Sequence, residues 1–115
     1  MITVDVSRAP DGAVTRVVLS GHALFDDPGK DIVCAAVSVL AVNTVNALEQ
    51  FTEDHFILEQ DAEEAEFVIE LPDSPTHDAR LLMDTLLLGL TAIEAEYGNE
   101  YLMIKKTGGR ESCFR

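Results

Sequence analysis

The sequence predicts an α+β domain of ββαββαβ order, with two long helices packed on a mostly antiparallel sheet. Three observations predict it. Short β-branched and apolar runs come in pairs separated by turn residues, as hairpins do. Two much longer apolar stretches, residues 31–51 and 76–97, carry no internal proline and read as helices. The chain has 115 residues, 47% of them hydrophobic, which suits one domain with its own core.

Each element follows from local chemistry. Ile2, Val4 and Val6 share one face of a first strand, and Pro10-Asp11-Gly12 is a turn signal. Val14 to Ser20 is the returning strand of a hairpin. Asp31 is placed to cap a helix that runs to about Phe51. His55–Glu59 and Glu66–Leu71 form a second hairpin around an acidic turn, Gln60 to Ala65, which reads as a solvated tip. Pro72 and Pro75 break the chain, after which Ser74 or Thr76 starts a helix through about Tyr97, stopped by Gly98-Asn99. Tyr101 to Lys106 is a last strand, and Thr107 to Arg115 is a polar tail.

Both helices are apolar around most of their circumference. The first carries Ile32, Val33, Ala36, Val37, Leu40, Val42, Val45 and Leu48, and the second a Leu-rich run from Leu81 to Leu90. One small sheet cannot cover so much surface, so the helices must cover each other or meet a second subunit. A homodimer is the expectation.

Composition narrows the partners. A net charge of −13 and a pI near 4.3 argue against nucleic acid and anionic membranes and suit a basic protein or peptide. Residues 1–7 alternate like a strand and lack a basic leader region. Ile32 to Leu48 contains Asn43, Asn46 and two hydroxyl residues, so it reads as a buried helix rather than a membrane span. Cys34 and Cys113 do not make a disulfide framework. A cytoplasmic protein with reduced thiols is expected.

The chemistry concentrates in two segments. Gly21-His22-Ala23 ends the second strand, and Asp31-Ile32-Val33-Cys34-Ala35-Ala36-Val37-Ser38 opens the first helix, with the Ala23–Lys30 loop between them. A thiol in the first turn of a helix has its thiolate favoured by the positive end of the dipole. An imidazole within reach takes its proton, which makes an activated nucleophile. Free N–H groups of that turn can also receive an oxyanion. A carboxylate at Asp31 disfavours a nearby thiolate, so Asp31 fits better as a cap or as the group that orients His22. Ser38, four residues after Cys34, lies on the same helix face, where it hydrogen-bonds near the thiol or satisfies its own hydroxyl. Leu24, Phe25 and Ile32 are placed for an apolar slot, and the Ala23–Lys30 loop, which contains Asp26-Asp27-Pro28-Gly29, for a substrate-gating segment. As zinc ligands, His22 and Cys34 lack a third and fourth partner, because His55, His77 and Cys113 show no ligand spacing.

These two segments together with Asn43-Thr44, the element order and the length resemble the bacterial ribosomal-processing cysteine protease family, Prp. The resemblance implies a cytoplasmic, homodimeric endopeptidase that removes a short N-terminal extension from a ribosomal large-subunit protein. His22 and Cys34 match the family's catalytic pair, with Gly21, Asp31 and Ser38 as supporting or substrate-binding positions. It also implies aromatic or large apolar residues before the cut and a basic stretch after it. No metal or organic cofactor is required. Residues 1–106 are then one protease domain, while the 107–115 tail with Cys113 has no counterpart in the family pattern. The competing reading is a non-enzymatic, ribosome-associated assembly module that uses the acidic surface.

Overall fold

The computed structural model describes residues 1–21 and 32–106. Its elements are β1 (Ile2–Arg8), β2 (Val14–Ser20), α1 (Ile32–Phe51), β3 (Ile57–Asp61), β4 (Glu66–Glu70), α2 (His77–Tyr97) and β5 (Leu102–Lys106). The expected ββαββαβ order holds. The sheet runs β3-β4-β2-β1-β5. Three of its four pairings are antiparallel, and β5 lies parallel to β1.

Alternation sorts the strands into two faces. Val4, Leu19 and Phe67 stand in one cross-strand row, and Val6, Val17 and Ile69 in the next. These rows belong to one core cluster with Val33, Val37 and Leu48 of α1 and Met83, Leu86 and Leu90 of α2. Helices therefore cover a single face. Val18 and Val68 sit side by side on the other face, where they are buried outside that cluster.

The two helices also pack on each other. A Cβ at Gly89 would come within 2.9 Å of the Leu40 side chain, so the missing side chain sets how closely they approach. The helix α1 is long and apolar enough to cross a membrane by length and composition. Here its Val33, Cys34, Val37, Ala41, Thr44 and Leu48 are buried in the domain. Thr44, a polar residue in that stripe, satisfies its hydroxyl by donating to the Leu40 carbonyl at 2.8 Å. The opposite face remains uncovered, with Ile32 66%, Val39 67% and Leu88 of α2 71% exposed.

Element boundaries shift where side chains claim the backbone. The third strand begins at Ile57, not His55, because the preceding residues form a clasp. Asp54 N–H donates to the Thr52 hydroxyl, and the Asp54 carboxylate accepts from Thr76 N–H at 2.9 Å and from its hydroxyl at 2.6 Å. The clasp settles the start of α2: Thr76 is the N-cap and accepts from Ala79 N–H, so Ser74 is not the cap. The last strand begins at Leu102, because Tyr101 N–H closes a turn onto the Gly98 carbonyl. The fourth ends at Glu70, although Leu71 N–H still donates to Thr15 across the sheet. A second tie, Arg80 to Asp11 at 3.1 Å, joins α2 to the β1–β2 turn. The expected Asp31 cap and the 107–115 tail lie outside the described residues.

The Thr76 hydroxyl and then its N–H hold the Asp54 carboxyl below its ordinary value of 3.8. A depressed carboxylate contributes stability that is present above 3.8 and is lost as pH falls through its lower folded-state value. Thr76→Ala is expected to cost about 1 kcal/mol at pH 7 through the lost cap. The deficit relative to the parent narrows below pH 3.8, where Asp54 takes up its proton. Urea melts of both proteins at pH 7 and pH 3 check this.

Candidate active site

Cys34 is the third residue of α1 and is 2% exposed. Its side chain lies on the buried stripe with Val33, Val37 and Ala41, in the same core cluster as Leu19 of β2. The stripe is what fixes the thiol's direction. Residues of the first helical turn also carry N–H groups without intrahelical acceptors, and their summed dipole favours negative charge there. Ser38, one turn further along, is half-buried.

Gly21 follows the last residue of β2 and carries the pairing with β4 one step further. Its N–H donates to the Ala65 carbonyl at 3.0 Å, next to the Ser20–Glu66 pair. Its φ is +136°, a conformation that favours glycine. A Cβ here would run into the Met1 carbonyl oxygen. Gly21 is thus held between the start of β1 and the β3–β4 turn, at the point where the chain leaves the sheet towards His22.

His22, Asp31, Leu24, Phe25 and the Asp26–Gly29 segment lie outside the described residues. Of the five candidate site residues, the structure places Gly21, Cys34 and Ser38. Ile32, expected to line an apolar slot with Leu24 and Phe25, is exposed at the start of α1. It lines an open apolar groove between the helices with Ala35, Ala36, Val39, Leu40, Gly89 and Ile93. At 100° per residue, Ile32 and Val39 point away from the stripe that holds Cys34. The groove is therefore on the far side of α1 from the thiol.

His55 and His77 are both exposed, and His77 Nδ1 lies 3.2 Å from its neighbour Asp78. Among the described residues, no group of three or more His, Cys, Asp or Glu side chains is arranged to hold a metal. Two contributors escaped the sequence reading. Neither the Met1 carbonyl nor the Ala65 carbonyl is signalled locally, since any residue supplies a carbonyl and the contacts span distant strands.

Comparison with known proteins gives a consistent result. Residues 1–102 match the family described as cysteine protease Prp. The ribosomal processing cysteine protease Prp of Staphylococcus aureus is 37% identical over 97 residues, covering 84% of this chain and 92% of that protein. Its Bacillus subtilis counterpart is 30% identical over 101 residues, covering 84% and 90%. The crystal structure of the S. aureus protease with a substrate peptide superposes with a TM-score of 0.83 at 34% identity, over 93% of this chain and 100% of that one. The same protease with a covalently linked product peptide gives 0.84 at 36% identity, over the same shares.

Gly21→Ala must displace either the Met1 carbonyl or the Ala65 bond, and it places a side chain at a strained φ. The expected loss is about 1–3 kcal/mol of stability, read from denaturant midpoints against the parent.

Proposed function

The chain belongs to the Prp family and is a cysteine protease, and from that premise we propose that it removes the N-terminal extension of a ribosomal large-subunit protein with Cys34 as nucleophile and His22 as general base. The observation that carries this reading is the position of Cys34, a thiol in the first turn of α1. Its support comes from the S. aureus relative seen with a covalently linked product peptide. The non-enzymatic alternative falls away with membership of a protease family.

The steps follow from the groups available. His22 takes the Cys34 proton, and the ion pair with the imidazolium offsets the cost of a thiolate in apolar surroundings. The thiolate adds to the scissile carbonyl carbon, and N–H groups of the α1 first turn receive the oxyanion. Collapse expels the amine of the downstream segment, which takes its proton from His22. Water, deprotonated by the same imidazole, then hydrolyses the thioester, releases the extension as a carboxylate and restores the thiol. Asp31 caps α1 or orients His22, and Ser38 hydrogen-bonds close to the thiol. No metal or organic cofactor enters. Twenty-one acidic against eight basic residues attract a cationic substrate segment, an attraction that salt weakens. The reading also includes a cytoplasmic location and no nucleic-acid or membrane partner.

A homodimer belongs to the same proposal. Ile32, Val39 and Val42 recur along one side of α1 at helical spacing and are exposed, and an apolar groove runs beside them. A second copy is what this surface fits.

Cys34→Ala and His22→Ala are each expected to abolish cleavage, by about a thousandfold or more, with the fold intact. Cys34→Ser is nearly inactive, because a hydroxyl ionises far less readily than a thiol. Incubation with a precursor carrying the extension, followed by mass spectrometry of the products, reads the outcome. Full activity in Cys34→Ala ends the proposal.

Sedimentation at low micromolar concentration is expected to give twice the 12.6 kDa chain mass. Val39→Glu places a charge on the exposed face and gives a monomer. A parent protein that sediments as a monomer contradicts the dimer.

A further inference from the structure

We propose that the free edge of β3 is a docking site for an extended cationic segment, which adds to the sheet as a further strand alternating apolar with Lys or Arg side chains. Naming that segment as the part of the substrate downstream of the cut rests on the cleavage reading given above. β3 stands at one end of the sheet order and pairs with β4 alone among the described residues. An edge strand turns the N–H and C=O groups of alternate residues outward, ready for another backbone.

The two faces of this edge differ. Leu58 continues the cross-strand row of Val6, Val17 and Ile69, which are buried in the core, yet it is 41% exposed because the row stops there. α2 packs against β5 at the other end of the sheet, and Leu40 of α1 faces α2 at Gly89. At 100° per residue, Val45 and Ser38 lie on the opposite flank of α1, which is the flank on the β3 side. An apolar residue placed opposite Leu58 continues the core row below that flank. On the outer face Glu59 and Asp61 are exposed. Their cross-strand neighbours are Val68 and Glu66, so no cation of the sheet stands opposite either carboxylate. Like charges opposite each other repel, and pairing β3 with β3 of a second copy adds more of the same sign. A strand with Lys or Arg at its outer positions relieves that repulsion and joins the ladder.

Direction connects the edge to the thiol. α1 ends at Phe51 and β3 begins at Ile57, so the end of the helix and the start of the strand share one end of the domain. β3 therefore runs back towards the end where α1 begins and where Cys34 sits. A segment that leaves the thiol in its N-to-C direction and follows this edge lies antiparallel to β3, the more stable pairing.

The probe is a synthetic peptide of about eight residues alternating valine with lysine, long enough to span a strand. It is added to full-length Cys34→Ala protein, and hydrogen exchange is followed by mass spectrometry. Exchange over residues 57–61 is expected to slow about tenfold at saturating peptide. Two further peptides carry N-methyl groups on every valine amide or on every lysine amide. One of them loses binding and the other keeps it, because an added strand uses alternate amides and its lysines fix which face is outward. Glu59→Lys weakens the lysine peptide about tenfold and takes up a peptide with glutamate in place of lysine. Equal binding of the two methylated peptides overturns the proposal in favour of a surface charge contact, and so does protection that falls outside residues 57–61. A Glu59→Lys protein with unchanged preference overturns the stated chemistry of the occupant. Protection of residues 57–61 without peptide, rising with protein concentration, overturns it in favour of a second copy at this edge. If the parent protein cuts the precursor and the lysine peptide leaves residues 57–61 unprotected, only this proposal fails. If the peptide protects them and the parent does not cut the precursor, the cleavage reading fails and the edge stands as a docking site for a cationic strand.

Discussion

One helix has to serve two purposes, and the rest of the structure is arranged around that constraint. The stripe Val33, Cys34, Val37, Ala41, Thr44 and Leu48 of α1 is part of the core that holds the helix on the sheet. Its first turn carries the thiol. Loss of packing along the stripe would shift Cys34 as well as destabilise the domain, so the packing of α1 and the direction of the thiol are coupled. Thr44 shows how tightly the stripe is kept: a buried hydroxyl is accommodated by bonding back to its own helix rather than by opening a gap.

The opposite face of α1 is built on different terms. Gly89 brings α2 close to Leu40, while Ile32 and Val39 remain largely exposed. A helix apolar all round is thereby divided into a face committed to the core and a face left for another surface. The division places the groove and the thiol on opposite sides of the helix. The proposed chemistry and the proposed association therefore fall on separate surfaces of one element.

The end of β2 is held by backbone rather than by packing. Gly21 sits where β1, β2 and the β3–β4 turn converge, held by a hydrogen bond to Ala65 and by the closeness of the Met1 carbonyl. Backbone contacts of this kind are short and directional, and they tolerate little drift. At the far end of the domain the Asp54–Thr76 clasp does a similar task for α2, joining the segment after α1 to the cap of the next helix. A backbone bond holds the chain where β2 ends, and side-chain bonds hold it between α1 and α2.

The sequence by itself determined the element order and the inward face of β1, and it singled out the segments proposed to carry the chemistry. Those features are local: alternation in Ile2, Val4 and Val6, helical spacing over residues 31–51, and a glycine, imidazole and thiol at fixed separations. It also located Gly98 as the end of α2, because a helix stop is written in neighbouring residues. Strand order, the parallel pairing of β5 with β1 and the start of β3 were decided by tertiary structure. They depend on which distant segments find each other, and residues 55–56 read as strand although β3 begins only at Ile57, after the Asp54–Thr76 clasp. The direction of Ile32 required the packed helix pair, since a helix apolar on every side does not say which face it will bury. The grip on Gly21 from Met1 and Ala65 is the least legible feature of all. It is made by two backbone carbonyls, a group that every residue shares and that no sequence pattern marks.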